Sequence, residues 1–352
     1  MTQSVRDIGE FGLIAALQAT LSPGVAAGPD LELGIGDDAA VWTPTPGESV
    51  VVTTDSLVEG VHFRLDWTDW RSLGHKSLAV NLSDLAAMGA APKLATISLG
   101  MTGDELVEDL KELYRGIDQL AAPHGVVVAG GDIVASPGGM AIHVTVLGET
   151  RAGRVLKRSG ALVGDSICVS GTIGASAAGY SILLEGADGP HAESASADLL
   201  IAAHLRPQPR IALGKLLLEK GATAAMDLSD GLLGDLPKLL TMSQVRGVVD
   251  VRHLPVAAAV MALFPKEWLE MAMRGGEDYE LLFTIPHDRF EKLLPMAEDV
   301  GATISAIGEV TSGSEDEPLV TLIDLDGRTR AANIGAFDHF LTKNSIVRGE
   351  LE

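Results

Sequence analysis

The sequence predicts a mixed α/β protein of two domains. Apolar runs such as VVVTTDSL (50–57), VVVAGGD (126–132) and MAIHVTVLG (140–148) have the length of strands. Other stretches carry apolar residues at helical spacing, as Leu106, Leu110, Leu113 and Ile117 do within 103–123. Strands and helices that intersperse in this way pack as helices on a sheet. A basic, turn-rich segment at 149–165 interrupts the pattern, which then restarts with a strand, a glycine turn and a helix. The boundary is placed there, giving domains 1–150 and 151–340 and a tail at 341–352. A chain of 352 residues is long enough for two ordinary domains.

In order, 5–20 reads as an amphipathic helix and 31–36 and 49–54 as strands. Residues 71–89 read as a helix stopped by Gly89, and 94–100 as a strand. After the helix at 103–123, residues 126–132 read as a strand running into a glycine turn, and 140–148 as another strand. The second half begins with a strand at 166–170, the Gly-rich turn GTIGASAAG (171–179) and a helix at 175–185. Helices at 207–220 and 229–243 flank a strand near 223–228. A strand at 279–285, a helix at 288–300 and a strand at 302–310 follow. Residues 186–197 and 312–318 read as exposed loops, the former a candidate lid by its composition.

Composition narrows the function. The chain is 46% hydrophobic with 40 Gly and 16 Pro, a globular composition rich in turns. Its formal net charge is −22 and no Lys/Arg cluster of the kind that makes a basic face appears, which argues against nucleic acid. Acidic side chains that hold cations still admit phosphates. The single cysteine, Cys168, lies in a strand-like run and excludes an internal disulfide or a cysteine-rich metal site. No apolar stretch reaches the roughly 18 residues of a membrane span. Asp7 and Glu10 stand where a signal peptide would be basic. The cytoplasm is the expected compartment.

The aspartates carry the chemistry. They recur in short Gly/Thr/Ser-rich segments beside apolar runs: GIGDDAAV (34–41), VVVTTDSL, NLSDLAAMGA (81–90), VVVAGGD and MDLSDGLLGDL (226–236). Carboxylates beside small residues suit Mg²⁺, which takes one or two of them and bridges to substrate phosphates. Strand alternation puts Thr53 and Asp55 on one face. Asp55 is a metal ligand or a turn-capping residue at the strand's exit. Asp84 projects from its helix toward a metal or toward solvent. Gly130 and Gly131 permit close backbone approach to a ligand, with Asp132 at the strand's end. Asp227, Ser229 and Asp230 precede a helix, where Ser229 or Asp230 also serves as an N-cap. Glu277 and Asp278 bind substrate or turn the chain. The turn 171–179 favours an anion weakly and fits helix packing better. His62 is within reach of the Asp55 segment, whereas His75 and His143 read as structural.

Taken together, GIGDDAAV, TTDSLVEGVHF, LAVNLSDLAAMGA, GGD, LKRSGA, HLRPQPR, DLSDGLLGDL, GGEDYELLF and GAFDHF occur in this order over roughly residues 8–340. They resemble the thiamine-monophosphate kinases of the AIR-synthase-like (PurM-like) ATP-binding superfamily. The resemblance implies an N-terminal α/β domain that closes a β-barrel across a homodimer, and a C-terminal α/β domain that completes the ATP site. It implies several Mg²⁺ ions, ATP as co-substrate and thiamine monophosphate as acceptor. Asp38, Thr53, Thr54, Asp55, Asp84, Asp132, Asp227 and Asp230 are the implied metal ligands, with Asp55, Asp84 and Asp132 central to catalysis. Tyr114, Gly131, Asp132, Arg158 and Ser229 are the implied ATP contacts. His62, Glu277 and Phe337 are the implied thiamine contacts. Asp37 is left as a turn residue. Phe337 stands where the family often has Trp or Tyr and keeps a π-face for a cationic thiazolium. Selenophosphate synthetases and hydrogenase-maturation proteins share the fold but use a terminal cysteine or selenocysteine, and Cys168 is mid-chain.

Overall fold

A computed structural model describes residues 3–186, 189–191, 194–314 and 316–335. Contacts divide the chain into two units, residues 1–85 with 90–154 and residues 86–89 with 155–352.

In the first unit α1 (Val5–Gln18) and the single-turn α2 (Pro23–Ala26) precede a ribbon of β1 (Leu31–Leu33) and β2 (Val41–Trp42). The chain then runs through β3 (Glu48–Val58), α3 (Trp70–Ala87), β4 (Ala91–Met101), α4 (Val107–His124), β5 (Val127–Ala135) and β6 (Ala141–Arg151). The sheet has the order β3–β6–β4–β5, with β4 and β5 parallel and the other pairs antiparallel. Helices α3 and α4 cross backbone to backbone. A Cβ on Gly74 would lie 1.8 Å from the Leu113 carbonyl oxygen, and one on Gly116 would lie 1.9 Å from that of Arg71.

Two strands are longer than the sequence pattern indicates. β3 does not end at Asp55, because it pairs with β6 without interruption from Glu48 opposite Arg151 to Val58 opposite Ala141. Asp55 is therefore a mid-strand residue, not a turn cap. β5 likewise runs straight through Gly130, Gly131 and Asp132, so GGD is strand and not turn. Gly131 is small because β4 lies against it: a Cβ there would meet the Ile97 carbonyl oxygen at 1.9 Å. The close approach that the structure shows at Gly131 is that of the neighbouring strand β4.

The second unit contains, in order, β7 (Asp165–Ser170), α5 (Ala175–Glu185), α6 (Ala195–Leu205), α7 (Ile211–Lys220), β8 (Ala224–Asp227), α8 (Leu232–Ser243) and β9 (Arg246–Asp250). There follow α9 (Ala258–Leu263), α10 (Trp268–Arg274), β10 (Leu281–Pro286), α11 (His287–Asp299), β11 (Ile304–Thr311), β12 (Val320–Ile323) and β13 (Thr329–Ala331). Its sheet has the order β13–β12–β9–β11–β7–β10–β8, antiparallel except for β12 beside β9. The core packs Leu236, Leu239 and Leu240 of α8 against Ile167, Val169, Leu282 and Ile307 of the strands. Among the described residues neither sheet closes on itself. α6 fills part of the segment read as a loop. Its sequence ASADLLIAAHL lacks a clean apolar stripe, since Leu200 is buried while neighbouring Leu199 is 69% exposed.

Candidate active site

In the first unit the alternation of β3 sorts its side chains. Val51, Thr53, Asp55 and Leu57 lie on the covered face, and Val50, Val52, Thr54, Ser56 and Val58 on the exposed one. Asp84 comes from α3 to meet the covered face. The Thr53 hydroxyl donates to Asp84 Oδ2. Burial, the Asp84 charge and a hydrogen bond with Asp84 together push the Asp55 carboxyl up to about 6. Two carboxyls and a hydroxyl thus meet in a half-buried patch where one carboxyl retains its proton well above the ordinary carboxylate range. A divalent cation bound by oxygen would remove that repulsion, so the donor set fits Mg²⁺.

The other first-unit residues stand apart from this pair. Thr54 is on the opposite face, donating to the Val144 carbonyl at 3.2 Å and accepting from the Thr145 hydroxyl at 3.0 Å. Asp38 is exposed, and its N–H donates to the Asp37 carboxylate at 2.9 Å, so Asp37 braces the turn. Asp132 is exposed on β5, its Oδ1 accepting from the Ile133 N–H at 2.9 Å. His62 takes the Val58 N–H on Nδ1 at 3.1 Å, which fixes its ring beside the end of β3. Tyr114 is buried in α4, and burial pushes its hydroxyl's pKa upward. That placement fits a core tyrosine better than a nucleotide contact.

In the second unit two loops are laced together. Tyr279 N–H donates to the Leu228 carbonyl at 2.9 Å, Leu228 N–H to that of Glu280 at 2.8 Å, and Glu277 N–H to that of Ser229 at 2.8 Å. Gly276 allows this, since a Cβ would meet the Ser229 oxygen at 2.5 Å. Asp227 is buried at the end of β8. Neither Ser229 nor Asp230 caps α8. The N-cap is Gly231, in the left-handed region at φ 82°, and Asp235 reaches back from the first turn instead. Its Oδ2 accepts from the N–H groups of Ser229 at 3.0 Å and Asp230 at 2.8 Å. Lys238 Nζ then bridges Asp235 Oδ1 at 2.8 Å and Asp230 Oδ2 at 2.5 Å. Burial raises the Asp235 pKa in spite of this ammonium. Burial works against the Lys238 charge as well, but its bonds to both aspartates outweigh it and hold its pKa above the usual lysine value.

The GGEDYE segment is divided between exposure and burial. Glu277 and Tyr279 are non-glycine residues in the left-handed region, at φ 65° and 50°, a backbone cost met at functional loops. The Glu277 carboxylate lies 3.6 Å from Nδ1 of buried His204. Asp278 turns inward and accepts from the N–H groups of Gly174 at 2.6 Å and Ser176 at 3.0 Å at the start of α5. The group received at this helix N-terminus is therefore the protein's own carboxyl. A Cβ on Gly179 in the same helix would lie 2.0 Å from the Leu200 carbonyl oxygen, so the glycines of this segment also serve packing. Glu280 is buried, takes the Arg210 guanidinium (Nε to Oε2 2.7 Å) and accepts from Ser170 Oγ at 2.5 Å. This pair joins HLRPQPR to GGEDYEL. Sequence reasoning missed Arg210, Asp235, Lys238 and Glu280. Their signal was the i, i+3 pair Asp235–Lys238 and an arginine with no acid near it in sequence.

The AIR synthase related protein N-terminal domain model matches residues 36–150, and the corresponding C-terminal domain model matches residues 163–320. The thiamine-monophosphate kinase of Bacillus subtilis (strain 168) is 34% identical over 331 residues, 94% of this chain and 99% of that protein. This chain belongs to the thiamine-monophosphate kinase family. A thiamine-monophosphate kinase structure from Stenotrophomonas maltophilia K279a is similar with a TM-score of 0.80 and 37% identity, covering 91% of this chain and 97% of that one. The structure of AaThiL complexed with AMPPCP and TMP is similar with a TM-score of 0.74 and 34% identity, covering 97% and 100%. The kinase family's mixed α/β PurM-like fold is the fold of this chain.

Against the kinase family's expected site, the structure brings Thr53, Asp55 and Asp84 together in one unit and Ser229, Asp230 and Glu277 together in the other. Arg158 is exposed, and no ion pair engages it among the described residues. Phe337 lies outside the described residues. No group of three or more His, Cys, Asp or Glu side chains placed to hold a metal ion occurs among the described residues. Bound phosphates would have to supply the remaining oxygens.

Proposed function

We propose that this chain transfers the γ-phosphoryl group of ATP to thiamine monophosphate, giving ADP and thiamine diphosphate. The observation that carries this is likeness along nearly the whole chain to thiamine-monophosphate kinases, 34% identity over 94% of the residues. The phosphate-compatible acid patches described above support it.

A phosphate oxygen of thiamine monophosphate attacks the γ-phosphorus in line. The bond to the β–γ bridging oxygen breaks, and its electron pair leaves with ADP. The acceptor phosphate is ionised near neutral pH, so no general base and no phosphoenzyme are needed. Two anions must meet, which makes neutralisation the main task. Mg²⁺ bound here would supply positive charge to the phosphate oxygens. For several ions, the proposed ligands are Thr53, Asp55 and Asp84 at the covered face of β3, Asp38, Thr54 and Asp132 elsewhere in the first unit, and Asp227 and Asp230 in the second. Burial and the Asp84 charge raise the Asp55 pKa to about 6, so near neutral pH both carboxyls are largely ionised and a bound cation would relieve their repulsion. Arg158 offers a fixed charge to ATP, with Gly131, Asp132 and Ser229 as further contacts and Tyr114 the least supported. His62, Glu277 and Phe337 take the thiamine moiety, where the carboxylate of Glu277 suits a cationic ring.

A coupled assay with ATP, Mg²⁺ and thiamine monophosphate tests the reading, with thiamine diphosphate detected through its fluorescent oxidation product. Product from the monophosphate but not from free thiamine is expected. No product from either, with ATP still bound, overturns it.

A homodimer whose first units close a β-barrel is part of the proposal. β3 is an edge strand, and Val50 and Val52 on its outer face are 41% and 61% exposed, apolar surface that suits a partner. A monomer mass by light scattering removes this part. No helix among the described residues is long and apolar enough to cross a membrane. A cytoplasmic location is proposed, and cell fractionation checks it.

A further inference from the structure

Lys238 is placed to do more than stabilise a helix. Its ammonium contacts two carboxylates that differ in freedom. Asp235 is fully buried, and both its oxygens are engaged, Oδ2 by two backbone N–H groups and Oδ1 by Lys238. It cannot turn away. Asp230 has a side chain 28% exposed, and its Oδ2 is held by Lys238 at 2.5 Å. Asp230 is thus the movable partner and Asp235 the anchor. Two carboxylates and one ammonium leave the cluster with a net negative charge, so it retains attraction for a further cation. The ammonium nonetheless holds one of the two Asp230 oxygens open to such a cation.

We propose that Lys238 is a built-in counter-cation: it occupies the Asp230 carboxylate when no divalent ion is present, competes with the divalent ion for it, and so sets the concentration at which this loop loads. On loading, Lys238 keeps its bond to Asp235 and releases Asp230. An ammonium has three donors on a flexible stem and can make this exchange without moving the backbone. The backbone of Ser229 and Asp230 stays fixed throughout, because Asp235 rather than Lys238 holds it. The inference rests on the reading of Asp230 as a cation ligand.

The test is Mn²⁺ binding to the full chain without nucleotide, followed by the electron paramagnetic resonance of the free ion. The component lost in Asp230→Asn is the one to read. Lys238→Met is expected to bind that component about three- to tenfold more tightly, the size of a partly exposed charge pair. Lys238→Arg should stay near wild type. Thermal melting gives a second readout: the Lys238→Met deficit should shrink as Mn²⁺ is added, whereas a merely structural lysine would cost the same at every Mn²⁺ concentration. If Lys238→Met does not fold, Lys238→Gln, which keeps hydrogen bonding without charge, replaces it with the same expectation. Unchanged or weaker Mn²⁺ binding in the neutral variants, with Asp230→Asn still losing its component, overturns the role of Lys238 alone. No loss in Asp230→Asn overturns the ligand reading and the inference with it.

Discussion

Asp55 and Asp84 in the first unit meet carboxyl to carboxyl, and Asp55 is held up to about 6 by burial and by Asp84. Asp230 and Asp235 in the second unit are joined instead through Lys238, 2.5 and 2.8 Å from their oxygens. The sequence segments TTDS and LSDG look alike, yet one pair is reconciled by a proton and the other by an ammonium. A proton is lost as pH rises, which leaves repulsion that a metal can relieve. An ammonium remains as pH rises, and Asp235 holds the backbone of Ser229 and Asp230 before any ligand arrives. The first patch should therefore matter chiefly to activity, and the Asp235 anchor chiefly to folding.

The largest effect expected is on that anchor. Asp235→Ala orphans two N–H groups and removes one partner of a half-buried lysine, a loss of about 3–5 kcal/mol. Denaturant unfolding measures it, and a loss below about 1 kcal/mol would break the contrast. Next comes Asp84→Asn. It keeps the shape of α3 and removes a charge that repels Asp55, so unfolding stability should stay within about 1 kcal/mol of wild type. Turnover should fall roughly 10²-fold or more if charge neutralisation is the main catalytic demand. Wild-type turnover at limiting Mg²⁺ would remove Asp84 from the metal site.

Much of this contrast was legible in the sequence, but unevenly. Strand alternation placed Thr53 and Asp55 on one face, whereas the spacing along α3 left Asp84 facing a metal or solvent, and its contact with Thr53 turns it to the covered face of β3. What failed was the length of β3 and β5. Asp, Ser and Gly are good turn formers, and pairing with β6 and β4 overrides that tendency. The cap of α8 was misread for a related reason. Ser229 and Asp230 are strong N-cap residues by type, but Asp235, buried one turn later, takes their N–H groups. The Arg210–Glu280 pair spans 70 residues of sequence, and no local pattern predicts it. Contacts between distant segments decided each of these cases.

A third carboxylate extends the contrast through the pH dependence of stability. Asp278 has neither a proton-sharing neighbour nor a lysine. Backbone N–H groups at the start of α5 receive it, and they favour its charge. Burial disfavours the charge more strongly, and its pKa is pushed up to about 7 from 3.8. The folded state therefore binds a proton between about pH 4 and pH 7 that the unfolded state has released. Stability from this group is complete below the unfolded value and is lost as pH rises through about 7. Unfolding midpoints should thus fall between about pH 4 and pH 7 in the wild type and level off above that. Asp278→Asn should flatten that fall, at a constant cost because its amide can accept from one N–H while its NH₂ faces the other. Equal slopes in the two proteins would mean that the N–H groups of α5 outweigh burial. Asp278 would then be charged throughout, and backbone N–H groups would join the side-chain cations Lys238 and Arg210 as positive partners of this unit's acids.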